Sequence, residues 1–267
     1  MAVFTGSCDT KDFSIDFYDS DTTLRDLIRK KVADTSTRED ADDGFYLVDL
    51  GKVVSQFKRW KKCLPKVHPF YAIKCNPDPM ILRILVKLGA GFDCGSKIEI
   101  GRALGVGASP SNIIYANTCK QESHVRFAKQ NGVHLMTFDN EDELIKIKKA
   151  YPEAQVVLRL APDDSSSIVK LSCKYGCHVD EAMDLLKTAK DLTLNVIGVS
   201  FHVGSVNQDP ESFAEPIKAT RRVFDEAQKL GFHMQILDIG GGFPGDLLQS
   251  AEQPFEKVSI NVYLCCR

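Results

Sequence analysis

The sequence has no marked excess of charge of either sign, because 34 Lys and Arg residues face 36 Asp and Glu residues and leave a formal net charge of −2. Proteins that bind nucleic acid or anionic membranes through their charge carry a basic surface. The one basic cluster, Lys58-Arg59 with Lys61-Lys62, is typical of the solvated face of a helix. The charge balance therefore favours neither nucleic acid nor a membrane as partner.

Long apolar runs are also missing, and none approaches the roughly 20 residues that span a bilayer. The N-terminus, MAVFTGSCDTKDF, has no basic segment followed by an apolar stretch, which is the pattern of a secretory signal. Nine cysteines without such a signal are typical of reduced thiols in the cytosol. Their odd number and the lack of paired C-x-x-C spacing argue against a disulfide framework and a structural zinc site. We therefore expect a cytoplasmic protein without a metal.

From residue 45 onward, short apolar runs alternate with helical patterns. Near-continuous apolar runs of this length suit strands buried on both faces, as in a parallel sheet. The runs are FYLVDL (45–50), PFYAIK (69–74), GFDC (91–94), IIYAN (113–117), LMTFD (135–139), VVLRL (156–160), VIGVSFHVG (196–204) and QILDIGG (235–241). We predict that the seven runs from PFYAIK onward are barrel strands.

Amphipathic stretches lie between these runs. Asp78 is a predicted N-cap with Pro79 at the first helical position, and Asn140 followed by Glu143 resembles a capping box. A further helix is predicted near Leu24, outside the alternating region. The apolar stripes comprise Ile81, Ile84, Leu85 and Leu88, then Val179, Ala182, Met183 and Leu186, and then Phe213, Ile217, Thr220, Phe224 and Ala227.

Regular βα repetition is compatible with a closed barrel or with a doubly wound open sheet. An open sheet usually has a glycine-rich turn after its first strand, whereas here the first run ends in Lys74 and the glycines follow the last run. A barrel also explains why polar residues recur at the ends of successive strands, since these ends meet at one mouth where active sites form. The residues are Lys74, Asp93, Asn117, Asp139, Arg159 and His202.

Three features of these strand ends carry chemistry. Lys74 ends an apolar run, which suits a Schiff-base nucleophile, although a lysine that extends from a strand end into solvent is an equal alternative. The glycines of DIGGGFPG (238–245) offer consecutive backbone N–H groups that can hold a phosphate, or they form a plain tight turn. His202 is a core histidine, a ring stacked on a cofactor or an acid/base group, and Ser205 supplies a hydroxyl beside it.

Seven motifs together resemble the fold-type III pyridoxal-phosphate decarboxylases, in particular the eukaryotic ornithine decarboxylases. The motifs are PFYAIKCN, GFDCGSKIEI, IIYANTCKQ, NGVHLMTFDN, VVLRLAPDD, NVIGVSFHVGS and LDIGGGFPG. The resemblance implies an α/β fold, namely the (β/α)8 TIM-type barrel of alanine-racemase-like enzymes. That barrel would be incomplete here, lacking its eighth strand and the C-terminal β-domain.

The resemblance also implies roles for individual residues. Lys74 would bind pyridoxal 5'-phosphate covalently and His202 would stack on its ring, and these two are the candidate catalytic residues. The phosphate would lie against Ser205, Gly240, Gly241 and Gly242, while Asp93 and Arg159 would belong to the cofactor pocket. The implied reaction is decarboxylation of L-ornithine to putrescine by a homodimer, and residues 117–140 resemble the family's antizyme-binding segment.

The likeness fades after residue 257, so we divide the chain into an N-terminal segment (1–44), a barrel domain (45–257) and a divergent tail (258–267). Three hypotheses remain open. The chain represents an ornithine decarboxylase in a shortened form that is inactive alone, a non-catalytic antizyme-binding protein of the antizyme-inhibitor type, or a stand-alone pyridoxal-phosphate carrier. Asp93 and Arg159 favour the enzyme, because antizyme inhibitors replace residues of this pocket.

Overall fold

The computed structural model describes residues 6–10, 13–19, 21–39, 41–207, 209–245 and 255–265. The chain separates into two compact units, Met1–Asp49 and Leu50–Arg267. The division lies between Asp49 and Leu50, five residues beyond the boundary that the sequence pattern suggested.

The first unit contains a two-stranded antiparallel sheet and one helix. Strands β1 (Gly6–Thr10) and β2 (Phe13–Phe17) pair along their length, and helix α1 covers Leu24–Thr35. Thr23 caps this helix through a capping box, in which its hydroxyl accepts from the backbone of Asp26 and the Asp26 carboxylate accepts from the backbone of Thr23. The predicted helix near Leu24 is confirmed.

The strand predicted over residues 45–50 is wrong. Residues 43–49 form neither helix nor strand, and Leu50 already begins a helix. The apolar side chains of this run are exposed, with Tyr46 98% accessible. An apolar run becomes a strand only where a neighbouring strand pairs with its backbone, and no partner for this run exists among the described residues.

The second unit is built on a seven-stranded parallel sheet. Its strands are β3 (Phe70–Ala72), β4 (Gly91–Cys94), β5 (Ile113–Tyr115), β6 (Leu135–Phe138), β7 (Gln155–Arg159), β9 (Asn195–Ser200) and β11 (Ile236–Asp238). Their order across the sheet follows the chain without reversal. A doubly wound sheet would reverse its order at a switch point, so the structure confirms the incomplete barrel and its seven predicted strands.

Helices precede, connect and follow the strands of this sheet. They are α2 (Leu50–Cys63), α3 (Pro79–Leu88), α4 (Lys97–Gly105), α5 (Glu122–Gln130), α6 (Glu141–Ala150), α7 (Ala182–Asp191), α8 (Ala214–Lys229) and α9 (Phe255–Cys265). The predicted cap of α3 is confirmed, because the Asp78 carboxylate accepts from Met80 N at 2.8 Å and from Ile81 N at 3.2 Å. No helix in the described ranges is long and apolar enough to cross a bilayer.

A second small sheet was not predicted. Strand β8 (Ser167–Val169) pairs with β10 (Ser205–Asn207) in antiparallel fashion beside the barrel mouth. The pairing requires glycine at position 204, which has φ +86° and where a Cβ would lie 2.5 Å from Ser167 Cβ. Asn207 Nδ2 links β10 to β8 by donating to Ser167 Oγ at 2.9 Å, and it also donates to Val203 O at 3.1 Å.

The helical layer brings the first and last helices of the second unit together. Arg59 on α2 forms a bidentate ion pair with Glu256 on α9, with both N···O distances at 2.7 Å. The Trp60 ring lies 4.8 Å from the Phe243 ring and 5.5 Å from the Phe255 ring. The helices thus meet across a sheet whose strands β3 and β11 do not pair with each other in the described chain.

Candidate cofactor site at the barrel mouth

Side chains on the strands alternate between the helical layer and the barrel interior. Phe92 and Cys94 on β4 are completely buried, so Asp93 between them faces the interior. The strand register places Arg159 on β7, Ser200 on β9 and Asp238 on β11 side by side on this inner face. The interior at the C-terminal ends of the strands is therefore polar and charged.

Arg159 lies among the carboxylates of this inner face. Burial lowers the pKa of its guanidinium, whereas the carboxylates of Asp238, Asp139 and Asp93 raise it. The same low-dielectric surroundings act on the acids. Burial raises the pKa of Asp93 to about 6 against the opposing effect of the Lys74 ammonium, and burial also raises the pKa of Asp238. Arg159 is thus held by several carboxylates, of which two protonate more readily than a free aspartic acid.

His202 is neutral in this environment. Burial, together with the charges of Arg159 and Lys74, lowers its pKa to about 4. The backbone N–H of Gly204 donates to His202 Nδ1 at 3.0 Å. Since Nδ1 accepts this bond, the proton of the neutral ring resides on Nε2. The ring therefore presents an uncharged face at the mouth.

The glycine loop after β11 packs directly on the segment that carries His202. Gly240 has φ +61° and a Cβ there would overlap the carbonyl oxygen of Phe201. A Cβ on Gly241 would lie 2.7 Å from His202 Nε2, and a Cβ on Gly242, which has φ +108°, would lie 2.6 Å from Val203 Cγ2. The Asp238 carboxylate accepts from Gly240 N at 2.8 Å and fixes the start of the loop. The backbone thus requires glycine at positions 240 and 242, and a side chain at position 241 would displace the His202 ring.

Lys74 follows β3 in a turn and its side chain is exposed. The expectation that it ends a buried strand is wrong, because β3 lies at the edge of the sheet and is only partly covered. The lysine nevertheless lies within electrostatic reach of Asp93 and His202, since its charge acts on the pKa of both.

The other predicted strand-end residues have structural partners. Asn117 donates to Gly95 O at 3.2 Å and accepts from Cys119 N at 3.1 Å, which orders the loop after β5. Asp139 accepts from Gly176 N at 2.8 Å and also faces Arg159. Ser205 lies on β10, one residue beyond Gly204, whose carbonyl oxygen would be 2.9 Å from a Cβ on Gly242. Asn117 thus connects the loop after β5 to the loop after β4.

The sequence pattern missed Asp238, Ser200 and Glu99. Glu99 on α4 accepts from Gly95 N at 2.5 Å and acts on the pKa of Asp93. Asp238 and Ser200 precede the glycine loop and His202 by two residues, so the period of a strand would have placed them on the inner face. In the described ranges no group of three or more His, Cys, Asp or Glu side chains is placed to hold a metal ion.

Comparisons with known proteins agree on one family. Residues 50–264 match the profile of the pyridoxal-binding domain of pyridoxal-dependent decarboxylases. Rat ornithine decarboxylase is 45% identical over 254 residues, covering 95% of this chain and 54% of that protein. Antizyme inhibitor 2 of Xenopus laevis is 47% identical over 235 residues, covering 88% of this chain and 51% of that protein.

Among solved structures, the arginine decarboxylase of Paramecium bursaria Chlorella virus superposes with a TM-score of 0.84 at 34% identity, covering 91% of this chain and 64% of that structure. The chain spans about half the length of the curated relatives that it matches. The matched profile nevertheless covers most of the chain, from the first residue of α2 almost to the end of α9. The chain therefore belongs to the pyridoxal-dependent decarboxylase family and contains its pyridoxal-binding domain.

Proposed function

We propose that the chain is the cofactor-binding half of an ornithine decarboxylase, a carboxy-lyase that converts L-ornithine to putrescine in polyamine synthesis. The observation that carries the proposal is the placement of Lys74, His202 and the glycine loop around Arg159 at one barrel mouth. The substrate is taken from the relatives named ornithine decarboxylase, since the described residues do not distinguish ornithine from arginine or lysine.

The residues at the mouth fit pyridoxal 5'-phosphate. The exposed Lys74 amine is accessible to the cofactor's aldehyde. The loop of Gly240, Gly241 and Gly242 has no room for side chains, which leaves its backbone N–H groups to face a phosphate. Gly240 N already donates to Asp238, so this glycine serves mainly to shape the loop. Ser205, beside Gly204, completes the set of phosphate donors in the proposal.

Bound pyridoxal phosphate supplies an electron sink for the carbanion left by loss of CO₂. The chain's own residues orient and tune this chemistry. The neutral His202 ring provides a flat surface without competing for the cofactor's negative charge. Arg159 supplies a positive charge, and Asp93, with a pKa raised to about 6 by burial, can take up a proton in the neighbourhood of Lys74 at mildly acidic pH.

The proposal includes a cytosolic location, a homodimer and a segment at residues 117–140 that binds antizyme. Most of this segment is ordered within the barrel, from the loop after β5 to the first cap of α6. A second candidate function, the non-catalytic antizyme-binding protein, is favoured by the 47% identity to an antizyme inhibitor. Asp93 and Arg159 support the enzyme instead, because the resemblance implies that antizyme inhibitors lose residues of this pocket.

The first prediction is that Lys74 bonds to the cofactor. Incubation with pyridoxal phosphate, borohydride reduction and peptide mapping should label Lys74, because its amine is the exposed nucleophile at the mouth. Lys74→Ala should abolish the label, whereas Lys87→Ala, which removes an exposed lysine on α3, should leave it unchanged. Labelling spread over surface lysines would contradict the prediction.

Activity separates the two candidate functions. The chain is joined at its C-terminus to the remaining part of the rat enzyme, and release of labelled CO₂ from ornithine is measured. An enzyme-type chain gives activity that disappears in Lys74→Ala. A chimera that loads pyridoxal phosphate and binds purified antizyme but releases no CO₂ would assign the chain to the antizyme-inhibitor type.

A further inference from the structure

Ser200 occupies an unusual place in the row of inner-face residues. The register pairs it with Arg159 on one side and with Asp238 on the other. It is 3% exposed, and its hydroxyl has no hydrogen-bond partner among the described residues. Ser200 thus lies between Arg159 and Asp238 across the sheet, and its buried hydroxyl makes no direct hydrogen bond to either side chain.

A buried hydroxyl without a partner is destabilising, and native proteins rarely retain one. Neighbouring strands are about 4.8 Å apart, so polar side chains that project from paired positions on one face can be bridged by a single water molecule. The guanidinium offers only donors, the carboxylate only acceptors, and a hydroxyl can be both. A single water in this polar pocket would satisfy the hydroxyl and connect all three groups.

We propose that Ser200 is a positioning residue, whose hydroxyl and a bound water link Arg159 to Asp238 across strands β7, β9 and β11. This linkage fixes the guanidinium at the barrel mouth. Asp238 also accepts from Gly240 N at 2.8 Å, so the same row connects Arg159 to the glycine loop. The consequence for the cofactor follows only if the proposed function holds, whereas the linkage itself does not depend on it.

Arg159 needs such a support because its other contacts leave freedom of orientation. Its guanidinium lies 5.0 Å from the centre of the Tyr175 ring, and Tyr175 is itself exposed. Asp93, Asp139 and Asp238 attract the guanidinium from three strands. Without a directional bond these attractions compete, and the Ser200 linkage selects the orientation towards β11.

The test measures the reactivity of Arg159 with phenylglyoxal in the full chain, followed by mass spectrometry of peptides. Releasing the guanidinium should speed its modification in Ser200→Ala and in Asp238→Asn by about three- to tenfold, the factor that one ordinary hydrogen bond represents. Ser200→Thr keeps a hydroxyl and should restore the wild-type rate. Ser212→Ala is the matched control, because it removes another buried, unpartnered hydroxyl outside the row.

Thermal stability gives a second, independent readout. The readout is the melting temperature of each variant relative to wild type. Ser200→Ala should lower it by about 2–4 °C if the hydroxyl is part of a linkage. A raised melting temperature with an unchanged rate at Arg159 would overturn the proposal. Faster modification of Arg159 in a chain that takes no label at Lys74 would support the linkage and reject the proposed function.

Discussion

At the scale of single residues, Asp93 and His202 give the stability of the barrel opposite responses to acid. Burial lowers the pKa of His202 from 6.5 to about 4, so the unfolded chain binds more protons in this range and stability is lost as pH falls through it. Burial raises the pKa of Asp93 from 3.8 to about 6, so the folded chain binds more protons and stability is gained as pH falls. The two contributions offset each other in nearly the same window.

In the Asp93→Asn variant, the loss of stability in acid that His202 causes should therefore no longer be offset by Asp93. The unfolding free energy of the variant relative to wild type should rise between about pH 4 and pH 6, the range spanned by the two pKa values of Asp93. The rise is at most about 3 kcal/mol, because one pKa unit corresponds to about 1.4 kcal/mol. Urea titrations of the cofactor-free chain at intervals of pH measure it. Asp191→Asn, at an exposed position on α7, should give a flat difference, and a flat difference for Asp93→Asn would refute the argument.

The glycine loop offers a matched pair of substitutions. Gly240→Ala places a methyl group against the Phe201 carbonyl at a left-handed backbone conformation, whereas Gly245→Ala meets nothing within 4 Å. Gly240→Ala should lower the unfolding free energy by about 1–3 kcal/mol and raise the pyridoxal-phosphate concentration for half-labelling of Lys74. Gly245→Ala should change both by little. Equal effects of the two variants would show that the loop tolerates side chains.

At the scale of secondary-structure elements, a buried ion pair connects strands β5 and β6 to helix α6. Lys120 Nζ lies 2.8 Å from Glu143 Oε1 with both side chains at most 1% exposed. The same ammonium donates to Asn117 O at 3.0 Å and to Thr137 O at 2.6 Å. Lys120 is therefore unable to touch a partner protein directly, and any effect of this lysine on antizyme binding would act through the shape of residues 117–140.

Removing the charge of one partner of this ion pair should strongly lower the unfolding free energy. Glu143→Gln leaves the Lys120 ammonium buried without its counter-charge and should lower the unfolding free energy by about 3–5 kcal/mol. The double variant Lys120→Met with Glu143→Leu should recover most of this loss. Glu215→Gln breaks an exposed pair on α8 with side-chain exposures of 71% and 81% and should leave the unfolding free energy nearly unchanged. Denaturant unfolding of the four proteins provides the comparison.

The order of the elements could be predicted from local signals, and the contacts between distant segments could not. Asp78 and Pro79 predict the start of α3, because a cap and its helix are adjacent in sequence. Only half of the capping box predicted at Asn140 is present. Asn140 Oδ1 accepts from Glu143 N at 2.9 Å, but the Glu143 side chain turns to Lys120, 23 residues away. Strands β8 and β10 likewise form only because each pairs with a segment distant in sequence. The position of Ser200 between Arg159 and Asp238 also follows from the pairing of distant strands.

At the scale of the whole molecule, the parallel sheet has two edges. Strands β3 and β11 each pair on one side only in the described chain, and Phe70 on β3 is 39% exposed. An unpaired apolar edge is a template for pairing with another chain. We therefore expect the 267-residue chain, produced by itself, to self-associate through this edge.

Size exclusion combined with near-UV circular dichroism tests this expectation. Phe70→Lys puts a charge on the edge of β3 and should reduce association, because charged edge residues oppose strand pairing. Ile98→Lys changes a side chain that is 67% exposed on α4, away from either edge, and should have no such effect. A monodisperse wild-type monomer with a sharp melt would contradict the expectation.

The ion pair between Arg59 and Glu256 has a consequence for biosynthesis. The two residues are 197 positions apart, so a ribosome adding about 5–20 residues per second needs roughly 10–40 s to make the second after the first. During this interval the Trp60 face of α2 has no Phe243 or Phe255 to pack against. The nascent barrel therefore carries an uncovered aromatic surface until α9 emerges, and we expect chaperones to bind this surface during that interval.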